Sequence, residues 1–309
     1  MDIAAEIANL VAQIPPGRVS TYADIANAIG DVRAATAVFR ILREASPQGA
    51  HRVVRASGEP TTGGSSRLRR EGLAVSRGRV EDLAGVRWTE FNGPRTLARL
   101  RDEQRRLAEK VETADRVNDP TMIAGFDVSY DDNAAAAAVV VMDAAGERVL
   151  EEATVRMAID FPYIPGYLSY REFPAIAACY RRLTSAPDLL MIDGHGLLHP
   201  ARFGIACHVG VALDRPSVGV AKSLLVGTMG PPPRRAGDWT EVRIDGEAMG
   251  AALRSGRSRR LVYVSVGHAI SLPTALRITK RLCKTRIPEP LRRADLLAKE
   301  KKRKWKKKR

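Results

Sequence analysis

Two aspartates in the middle of the chain stand where a carboxylate is most useful for holding a cation. Asp127 lies inside the apolar segment 125–130, where a charge is costly unless it is paired or binds a metal. Asp193 ends the apolar run 189–192 and directly precedes Gly194-His195-Gly196. A carboxylate at a strand end, followed by glycines that allow close approach of a ligand, is a common way to build a site in an α/β sheet.

Glu172 and His268 extend this set. Glu172 lies near the start of a predicted helix, and His268 follows an apolar strand after a glycine. Each residue taken alone has an ordinary explanation, because an Asp often caps a turn and a lone His is usually structural. Together they favour a site for magnesium, which prefers hard oxygen ligands and substrate phosphates. Such an ion generates a hydroxide and stabilises charge on a phosphate.

The elements that must position these residues alternate between strands and helices from residue 122 onward. Residues 123–130 and 135–142 predict a hairpin with its turn at 131–133. This alternation predicts an α/β domain with a partly parallel sheet. The further predicted strands are 188–192, 217–220 and 261–266, and the predicted helices are 170–183, 204–213 and 273–282.

Residues 1–90 have a different pattern. Short helices are predicted at 3–11, 22–29 and 34–43, followed by a small hairpin that starts at 51–54. This order is typical of a winged helix-turn-helix unit. The charged segment 91–118 predicts a connecting helix. We therefore expect domains at 1–90 and 91–298, with a tail at 299–309.

The positive charge of the protein is concentrated in that tail. The 309 residues carry a formal net charge of +15. Residues 299–309 include nine basic residues and only one acidic residue, Glu300. Blocks of like charge usually stay disordered and bind polyanions, so we expect a disordered tail that binds nucleic acid, with Trp305 available to stack on a base. A tail that only improves solubility is the alternative.

Other compositional features restrict the class of protein. Cys179, Cys207 and Cys283 are an odd number, far apart, and predict reduced thiols instead of a disulfide framework or a zinc site. No signal peptide is visible, and no run of 18 apolar residues occurs. These features predict a soluble cytoplasmic protein that does not enter a membrane, and no obligatory protein partner is evident.

The segment from about 95 to 290 resembles the endonuclease V family. Five motifs occur in that family's order: Gly125-Phe126-Asp127-Val128-Ser129-Tyr130, Phe161-Pro162-Tyr163-Ile164-Pro165-Gly166, Tyr170-Arg171-Glu172, the run from Asp193 to Gly204, and Gly219-Val220-Ala221-Lys222-Ser223. The resemblance implies a ribonuclease H-like fold and a DNA repair endonuclease that recognises deoxyinosine. It further implies hydrolysis of the second phosphodiester 3′ to the lesion, leaving 3′-hydroxyl and 5′-phosphate ends.

The resemblance also implies roles for individual residues. Asp127, Glu172 and Asp193 would bind Mg²⁺, with Mn²⁺ able to substitute, and His268 would assist as a fourth catalytic residue. A wedge at Pro162, Tyr163 and Ile164 would enter the space left by the extruded base. The remaining substrate contacts would come from Gly194, His195, Gly196, His199 and Lys222. One departure is Ala269, because a basic residue commonly follows this histidine in the family.

Residues 14–73 resemble the DNA-binding half of alkylguanine-DNA alkyltransferases and alkyltransferase-like proteins. The matching residues are the run from Ile14 to Ala26, then Gly30, Ala34-Ala35, His51-Arg52-Val53-Val54 and Glu71-Gly72. Ala50 stands where that family has its nucleophilic cysteine, which excludes alkyl transfer. Thr36 replaces the finger arginine. The resemblance implies a module that docks on DNA through Tyr22, Arg33, Thr36, Arg40 and Arg52.

Two alternatives remain open at this stage. The chain could be a non-catalytic alkyl-lesion recognition protein whose C-terminal half is a scaffold, although such a scaffold has no need for buried carboxylates. It could also be a nuclease that acts mainly on inosine in RNA. The partners expected from the sequence are therefore DNA containing deaminated bases and, in the second alternative, inosine RNA.

Overall fold

The computed structural model describes residues 2–131, 134–256 and 260–306. Packing divides the chain into two units, the first containing Met1–Glu103 with Asp160–Pro165 and the second containing Gln104–Ile159 with Gly166–Arg309. The change of unit at residue 104 lies inside a helix, and the predicted domain limits of 1–90 and 91–298 stay a prediction. None of the helices in the described ranges has both the length and the apolar content needed to cross a bilayer.

The first unit is mainly helical. Its elements are α1 (Ile3–Ala12), β1 (Ser20–Thr21), α2 (Tyr22–Ala28), a 3-10 turn (Val32–Ala34), α3 (Ala35–Ala45), a second 3-10 turn (Ala50–Arg52), β2 (Val53–Val54), α4 (Gly64–Arg70), β3 (Val75–Ser76), β4 (Arg79–Val80), α5 (Leu83–Val86) and the first part of α6 (Thr96–Ala108). The three predicted N-terminal helices and the helix in the charged connector are confirmed.

Helix α2 begins where the sequence has a strong start signal. The Thr21 hydroxyl accepts from the Asp24 backbone N–H, and the Asp24 carboxylate accepts from the Thr21 backbone N–H at 2.8 Å. This reciprocal capping satisfies two backbone donors that would otherwise lack partners. Arg87 adds an ion pair to the same carboxylate at 2.5 Å, so the start of α2 is fixed from two sides.

The hairpin of the first unit lies further along the chain than predicted. Residues 53–54 do not form one of its strands, because β2 pairs in parallel with β1. The hairpin is formed by β3 and β4, and Arg77 and Gly78 both have positive φ at its turn, at 47° and 76°. A two-residue turn of this kind has the twist that a hairpin needs, and glycine adopts it without strain.

The second unit is a nine-stranded mixed sheet flanked by helices. Its elements after α6 are β5 (Met122–Asp131), β6 (Ala134–Asp143), β7 (Val149–Ala158), α7 (Leu168–Tyr180), β8 (Leu189–Ile192), α8 (Ile205–Leu213), β9 (Ser217–Ala221), β10 (Thr228–Met229), β11 (Trp239–Ile244), β12 (Glu247–Leu253), β13 (Val262–His268), α9 (Leu272–Leu282) and α10 (Glu289–Lys306). The strand order is β10-β11-β12-β13-β9-β8-β5-β6-β7. The predicted α/β class with a preceding winged helix-turn-helix unit is confirmed.

The predicted hairpin of β5 and β6 forms the centre of one half of the sheet. The two strands pair antiparallel over ten positions, from Met122 with Asp143 to Asp131 with Ala134. Of its predicted turn at 131–133, residues 132 and 133 lie outside the described residues. The run of Ala and Val in β6 is buried on both faces, with α7 on one side and α10 on the other. Small side chains let both helices approach the sheet closely.

The parallel strands bring two carboxyl ends to one edge. Strand β8 lies between β5 and β9 and is parallel to both. Residues that follow β8 and β9 therefore emerge at the same edge, where α/β sheets usually bind ligands. Gly125 in β5 is needed for the packing of α10 on this strand, because a Cβ at this position would lie 2.3 Å from the Pro290 carbonyl carbon.

The basic C-terminal segment is more ordered than predicted. Helix α10 continues to Lys306, so residues 299–306 are helical and not a disordered tail, while residues 307–309 lie outside the described range. Ion pairs one turn apart support the helix, from Lys299 to Asp295 at 2.7 Å and from Lys304 to Glu300 at 2.5 Å. Charge repulsion alone is therefore a poor guide to disorder in this segment.

Candidate active site

Two carboxylates meet at the edge where the parallel strands end. Asp127 is in β5 and Asp193 follows β8, and the two side chains share a hydrogen bond. Asp127 is only 8% exposed. Burial and the nearby Asp193 carboxylate raise the pKa of Asp127 to about 8. A buried carboxyl group whose charge is opposed by a neighbouring carboxylate is an arrangement that a cation would relieve.

Glu172 adds a third carboxylate from α7. It is buried, and the Tyr130 hydroxyl donates a hydrogen bond to its Oε1 atom. Burial raises the pKa of Glu172 to about 7, against the opposing effect of that hydrogen bond, and the Asp193 charge adds to the rise. The Arg171 guanidinium lies over the Tyr130 ring at 4.6 Å and holds the tyrosine in place.

Asp295 is a fourth acidic residue at this site, and the sequence analysis missed it. It lies on α10, which packs along β5, and its charge acts on both Asp127 and Lys222. Its neighbour Ala294 is buried against β6, but nothing in the sequence of this mainly basic segment marks Asp295 itself.

Lys222 supplies the positive charge of the cluster. It follows β9, and its ammonium group pairs with the Asp193 carboxylate. Burial opposes the charge on Lys222, but Asp193 and Asp127 outweigh it and raise its pKa. Arg286 fixes the backbone at this point, because its guanidinium donates to the Lys222 carbonyl at 2.6 Å and to the Leu261 carbonyl at 2.7 Å.

The predicted turn after Asp193 packs tightly against the sheet. A Cβ on Gly196 would lie 1.9 Å from the Val266 carbonyl oxygen, and a Cβ on Gly194 would lie 2.5 Å from the Ile205 side chain. The Gly196 N–H donates to the buried Ser265 hydroxyl at 2.8 Å. Only glycine fits these positions, so the turn has one conformation.

Two histidines belong to the same loop. Burial lowers the pKa of His195, which therefore favours the neutral imidazole, and its Nδ1 atom is buried with no hydrogen-bond partner among the described residues. His199 is 6% exposed, and its Nδ1 atom accepts from the Ala201 N–H at 3.1 Å. His199 shapes the loop, whereas His195 keeps an unused polar atom beside Asp193.

Three residues that carry the alkyltransferase resemblance, His51, Arg52 and Glu71, form a polar network in the first unit, and the nucleophilic cysteine of that family is absent. The His51 Nε2 atom lies 2.8 Å from Glu71 Oε1, and Ala50 is adjacent to it in the chain. Hydrogen bonds from Arg52 and His51 hold the pKa of Glu71 at about 2. Arg52 also donates to the Ile14 carbonyl at 2.8 Å. The predicted DNA contact by Arg52 is not supported, because its guanidinium is mostly buried and committed to these partners.

The other predicted DNA contacts are more accessible. Thr36 and Arg40 are exposed one turn apart on α3, and Tyr22 packs edge-on against Phe39 at 5.3 Å beside an open cavity of about 900 Å³. Arg33 is not on α3, as predicted, but in the preceding 3-10 turn, where its side chain pairs with Asp31. Of the predicted DNA contacts on α3, Thr36 and Arg40 are therefore exposed, with Arg43 beside them, and their contact with DNA stays a prediction.

Comparison with known proteins agrees with this geometry. The profile of the family described as endonuclease V matches residues 105–296, and that of the 6-O-methylguanine DNA methyltransferase DNA-binding domain matches residues 2–77. An endonuclease V from Roseiflexus sp. (strain RS-1) is 48% identical over 206 residues, which cover 66% of this chain and 93% of the relative. The chain belongs to the endonuclease V family.

Solved endonuclease V structures have the same fold. The human ENDOV structure aligns with a TM-score of 0.62 at 36% identity and covers 68% of this chain and 99% of its own. The Ciona intestinalis endonuclease V, solved in complex with a 24mer DNA containing an inosine followed by a ribo-adenosine, aligns with a TM-score of 0.61 at 26% identity and covers 67% and 98%. The protein is therefore a DNA repair endonuclease, with an additional N-terminal part that is similar to the methyltransferase DNA-binding domain.

His268 does not join the acidic cluster of this endonuclease V. It pairs with Ser217 at the start of β9, because β13 runs antiparallel to β9, whereas Asp193 and Lys222 follow strand ends at the other edge. Its Nδ1 atom accepts from the Glu112 N–H at 3.3 Å, and its Nε2 atom lies 3.9 Å from Asp214. The structure therefore contradicts the predicted catalytic role of His268 and places Asp295 at the site instead.

The predicted wedge of the endonuclease V motif has one exposed residue between two covered ones. Tyr163 is 56% exposed, whereas Ile164 is buried and Pro162 is half-buried. Residues 160–165 pack with the first unit. The exposed ring between anchored neighbours is consistent with a side chain held ready for an external partner, and its insertion into nucleic acid stays a prediction.

Endonuclease V enzymes are metal-dependent nucleases, and the cluster has the right donors for a hard cation. Carboxylate oxygens from Asp127, Asp193, Glu172 and Asp295 suit Mg²⁺. In the described part of the chain, no three acidic, histidine or cysteine side chains already stand at ligand spacing. The present hydrogen bonds explain this, because Asp127 is bonded to Asp193, Asp193 to Lys222 and Glu172 to Tyr130. Metal binding would replace these hydrogen bonds with bonds from the carboxylates to the ion.

The raised pKa of Asp127 predicts an unusual pH dependence of the metal-free protein. A buried acid with a folded-state pKa of about 8 stabilises the fold at low pH, and this contribution is lost as the pH rises from about 4 to about 8. We expect Asp127→Asn to be more stable than the wild type in EDTA, by an amount that grows to a few kcal/mol at pH 8 and is then constant.

Urea unfolding of both proteins in EDTA between pH 5 and pH 9 measures this difference. Adding Mg²⁺ at pH 8 is expected to stabilise the wild type and leave Asp127→Asn nearly unchanged. If the difference in unfolding free energy between the two proteins does not vary with pH, the carboxylates do not converge at this site.

Proposed function

We propose that the protein nicks DNA beside deoxyinosine, hydrolysing the second phosphodiester 3′ to the lesion and leaving 3′-hydroxyl and 5′-phosphate ends. The observation that carries the proposal is the meeting of Asp127, Glu172, Asp193 and Asp295 at one edge of the sheet, where burial and the Asp193 carboxylate oppose the charge on Asp127 and Glu172. Such a cluster suits a cation and a phosphodiester better than any uncharged ligand.

The residues of the cluster would have different roles. Asp127, Asp193 and Glu172 would hold Mg²⁺, or Mn²⁺ in its place, and Asp295 would complete the set. Such an ion, held by these carboxylates, would activate water as a nucleophile at neutral pH and would offset the charge of the scissile phosphate. The Lys222 ammonium group, now paired with Asp193, would contact a phosphate oxygen if Asp193 served as a ligand.

The lesion would be recognised by the rigid turn and the wedge. Gly194, His195 and Gly196 form a turn with a fixed backbone, which can present hydrogen-bonding groups to an extruded base. Extrusion costs a few kcal/mol, and protein contacts must offset this cost. The N-terminal module would dock the enzyme on duplex DNA through α3 and cannot transfer alkyl groups, since Ala50 replaces the nucleophile.

A substrate panel tests the proposal. Oligonucleotides with inosine, uracil, an abasic site or O6-alkylguanine are incubated with the protein and Mg²⁺ in single-stranded DNA, duplex DNA and RNA. We expect nicking of inosine DNA above all others. Preferred nicking of inosine RNA would indicate the ribonuclease alternative, and tight binding of O6-alkylguanine without any nicking would indicate a recognition protein.

Replacing the wedge residue tests recognition separately from chemistry. We expect Tyr163→Ala to lower the preference for inosine over undamaged duplex by about tenfold, while the affinity for undamaged duplex stays nearly the same, because a wedge acts only where a base is extruded. Competition binding on the two duplexes measures both quantities. Tyr163→Phe is the matched control and should keep the preference. Equal losses on both duplexes would count against the wedge.

A further inference from the structure

The last two turns of α10, residues 299–306, carry a concentration of positive charge that the proposed chemistry does not use. Five of the seven residues from Lys299 to Trp305 are basic and one is acidic. Lys299 and Lys304 pair with Asp295 and Glu300. The other three, Lys301, Lys302 and Arg303, make no salt bridge within the residues that the structure describes.

This charge is part of a helix that is anchored at the active site. Pro290, near the start of α10, lies against Gly125 of β5. Ala294 packs with Val140 and Met142 of β6, and Ala298 is fully buried. Asp295, between these anchors, acts on Asp127. The basic residues therefore begin one turn after a residue of the acidic cluster, on the same rigid element.

The direction of the helix is also fixed by these contacts. Pro290 lies at Gly125 and Asp295 acts on Asp127, so α10 runs in the same direction as β5, towards the end at Asp131. At a rise of about 1.5 Å per residue, the helix extends roughly 16 Å beyond Asp295 before it ends at Lys306. Successive phosphates of one strand are about 3.4 Å apart along the duplex axis, so this length corresponds to roughly five base pairs.

We propose that residues 299–306 form a rigid cationic arm, which binds the phosphates of the nucleic acid next to the bond that is cleaved. The inference rests on the proposed function, because it takes the strand at the acidic cluster as its starting point. A phosphodiester backbone fits the arm by charge, and the arm is continuous with the site that accepts the scissile phosphate. Long basic side chains reach past partly buried stems to such a backbone.

A triple substitution tests the charge of the arm in the full-length protein. We expect K301Q/K302Q/R303Q to weaken binding of an undamaged duplex in EDTA by about tenfold at 0.1 M salt and to make the salt dependence shallower by about two to three phosphate contacts. The matched control R148Q/R181Q/R215Q removes the same charge at the opposite end of the sheet, next to the starts of β7 and β9 and the end of α7. It should keep most of the affinity and the salt slope.

An insertion tests the rigidity of the arm. Two glycines between Glu300 and Lys301 keep every charge but break the helix and its register with Asp295. We expect a loss of duplex affinity close to that of the triple variant, whereas two glycines after Arg309 should have no effect. An insertion variant with wild-type duplex affinity would contradict the rigidity of the arm, because a flexible polycation would bind equally well with or without the two glycines.

Two further readouts separate this inference from the proposed function. Nicking of inosine DNA at saturating DNA concentration should be unchanged in the triple variant, because the arm positions the strand and does no chemistry. If the wild type fails to nick inosine DNA at all, the proposed function is wrong. The duplex-binding results still show whether the arm binds the phosphates of nucleic acid. Unchanged duplex affinity in the triple variant, with lost binding to phosphatidylserine-containing vesicles, would overturn the assignment to nucleic acid.

Discussion

Asp127→Asn and Asp193→Asn are each expected to reduce nicking of inosine DNA by about a thousandfold or more. Each substitution keeps the shape of the side chain and removes a carboxylate from the pair proposed to hold the cation. Without the cation, activation of the water and stabilisation of the charge on the scissile phosphate would both be lost. The double variant should be no worse than the more severe single one, because residues that act as a unit are not additive.

Single-turnover nicking with excess enzyme measures this loss, and binding of uncleaved inosine duplex in EDTA is measured beside it. Binding should be retained, since neutralising an acidic residue does not repel phosphates. Asp143→Asn is the matched control, because Asp143 lies at the opposite end of the β5–β6 hairpin, where it accepts from backbone N–H groups of the following turn. Wild-type nicking by either site variant would show that this pair is not the metal site.

The second large expected effect distinguishes the role of Asp295 from the role of His268. We expect Asp295→Asn to lower the nicking rate at saturating DNA by about a hundredfold, because its charge lies beside Asp127 and Lys222. His268→Asn should change this rate less than about threefold per folded molecule. It should instead lower the unfolding free energy by about 1–3 kcal/mol, because the buried imidazole accepts from the Glu112 N–H.

Nicking rates and urea unfolding of the two variants are expected to give opposite patterns. Asp295→Asn loses rate and keeps stability, whereas His268→Asn keeps rate and loses stability. The reverse pattern would restore His268 as the catalytic residue and remove Asp295 from the site.

The sequence predicted the half of the sheet that is buried on both faces. Strands such as β5, β8 and β9 are runs of apolar residues, so their pattern depends little on neighbours. Strands β7 and β11 escaped prediction because they lie near the two edges of the sheet, where polar residues alternate with apolar ones and exposure is high. Their pairing partners determine them more than their own composition does.

Prediction of the candidate site from the sequence is limited in the same way, because the site depends on how the strands and helices pack. Asp193 and His268 both follow an apolar strand, and the sequence treats them alike. They separate in space because β8 is parallel to β9 and β13 is antiparallel to it, and strand direction is a property of the whole sheet. Asp295 was missed for a related reason. A single Asp among many charges on a helix has no local mark of function, and only the packing of α10 on β5 brings it to Asp127.

Nicking of a duplex with a single deoxyinosine, in Mg²⁺ and in EDTA, with both product ends mapped, tests the central claim most directly. We expect a single nick at the second phosphodiester 3′ to the lesion, with a 3′-hydroxyl and a 5′-phosphate, that requires Mg²⁺ and is absent in EDTA. The same nick at full rate in EDTA, or no preference for the inosine strand in Mg²⁺, would contradict it.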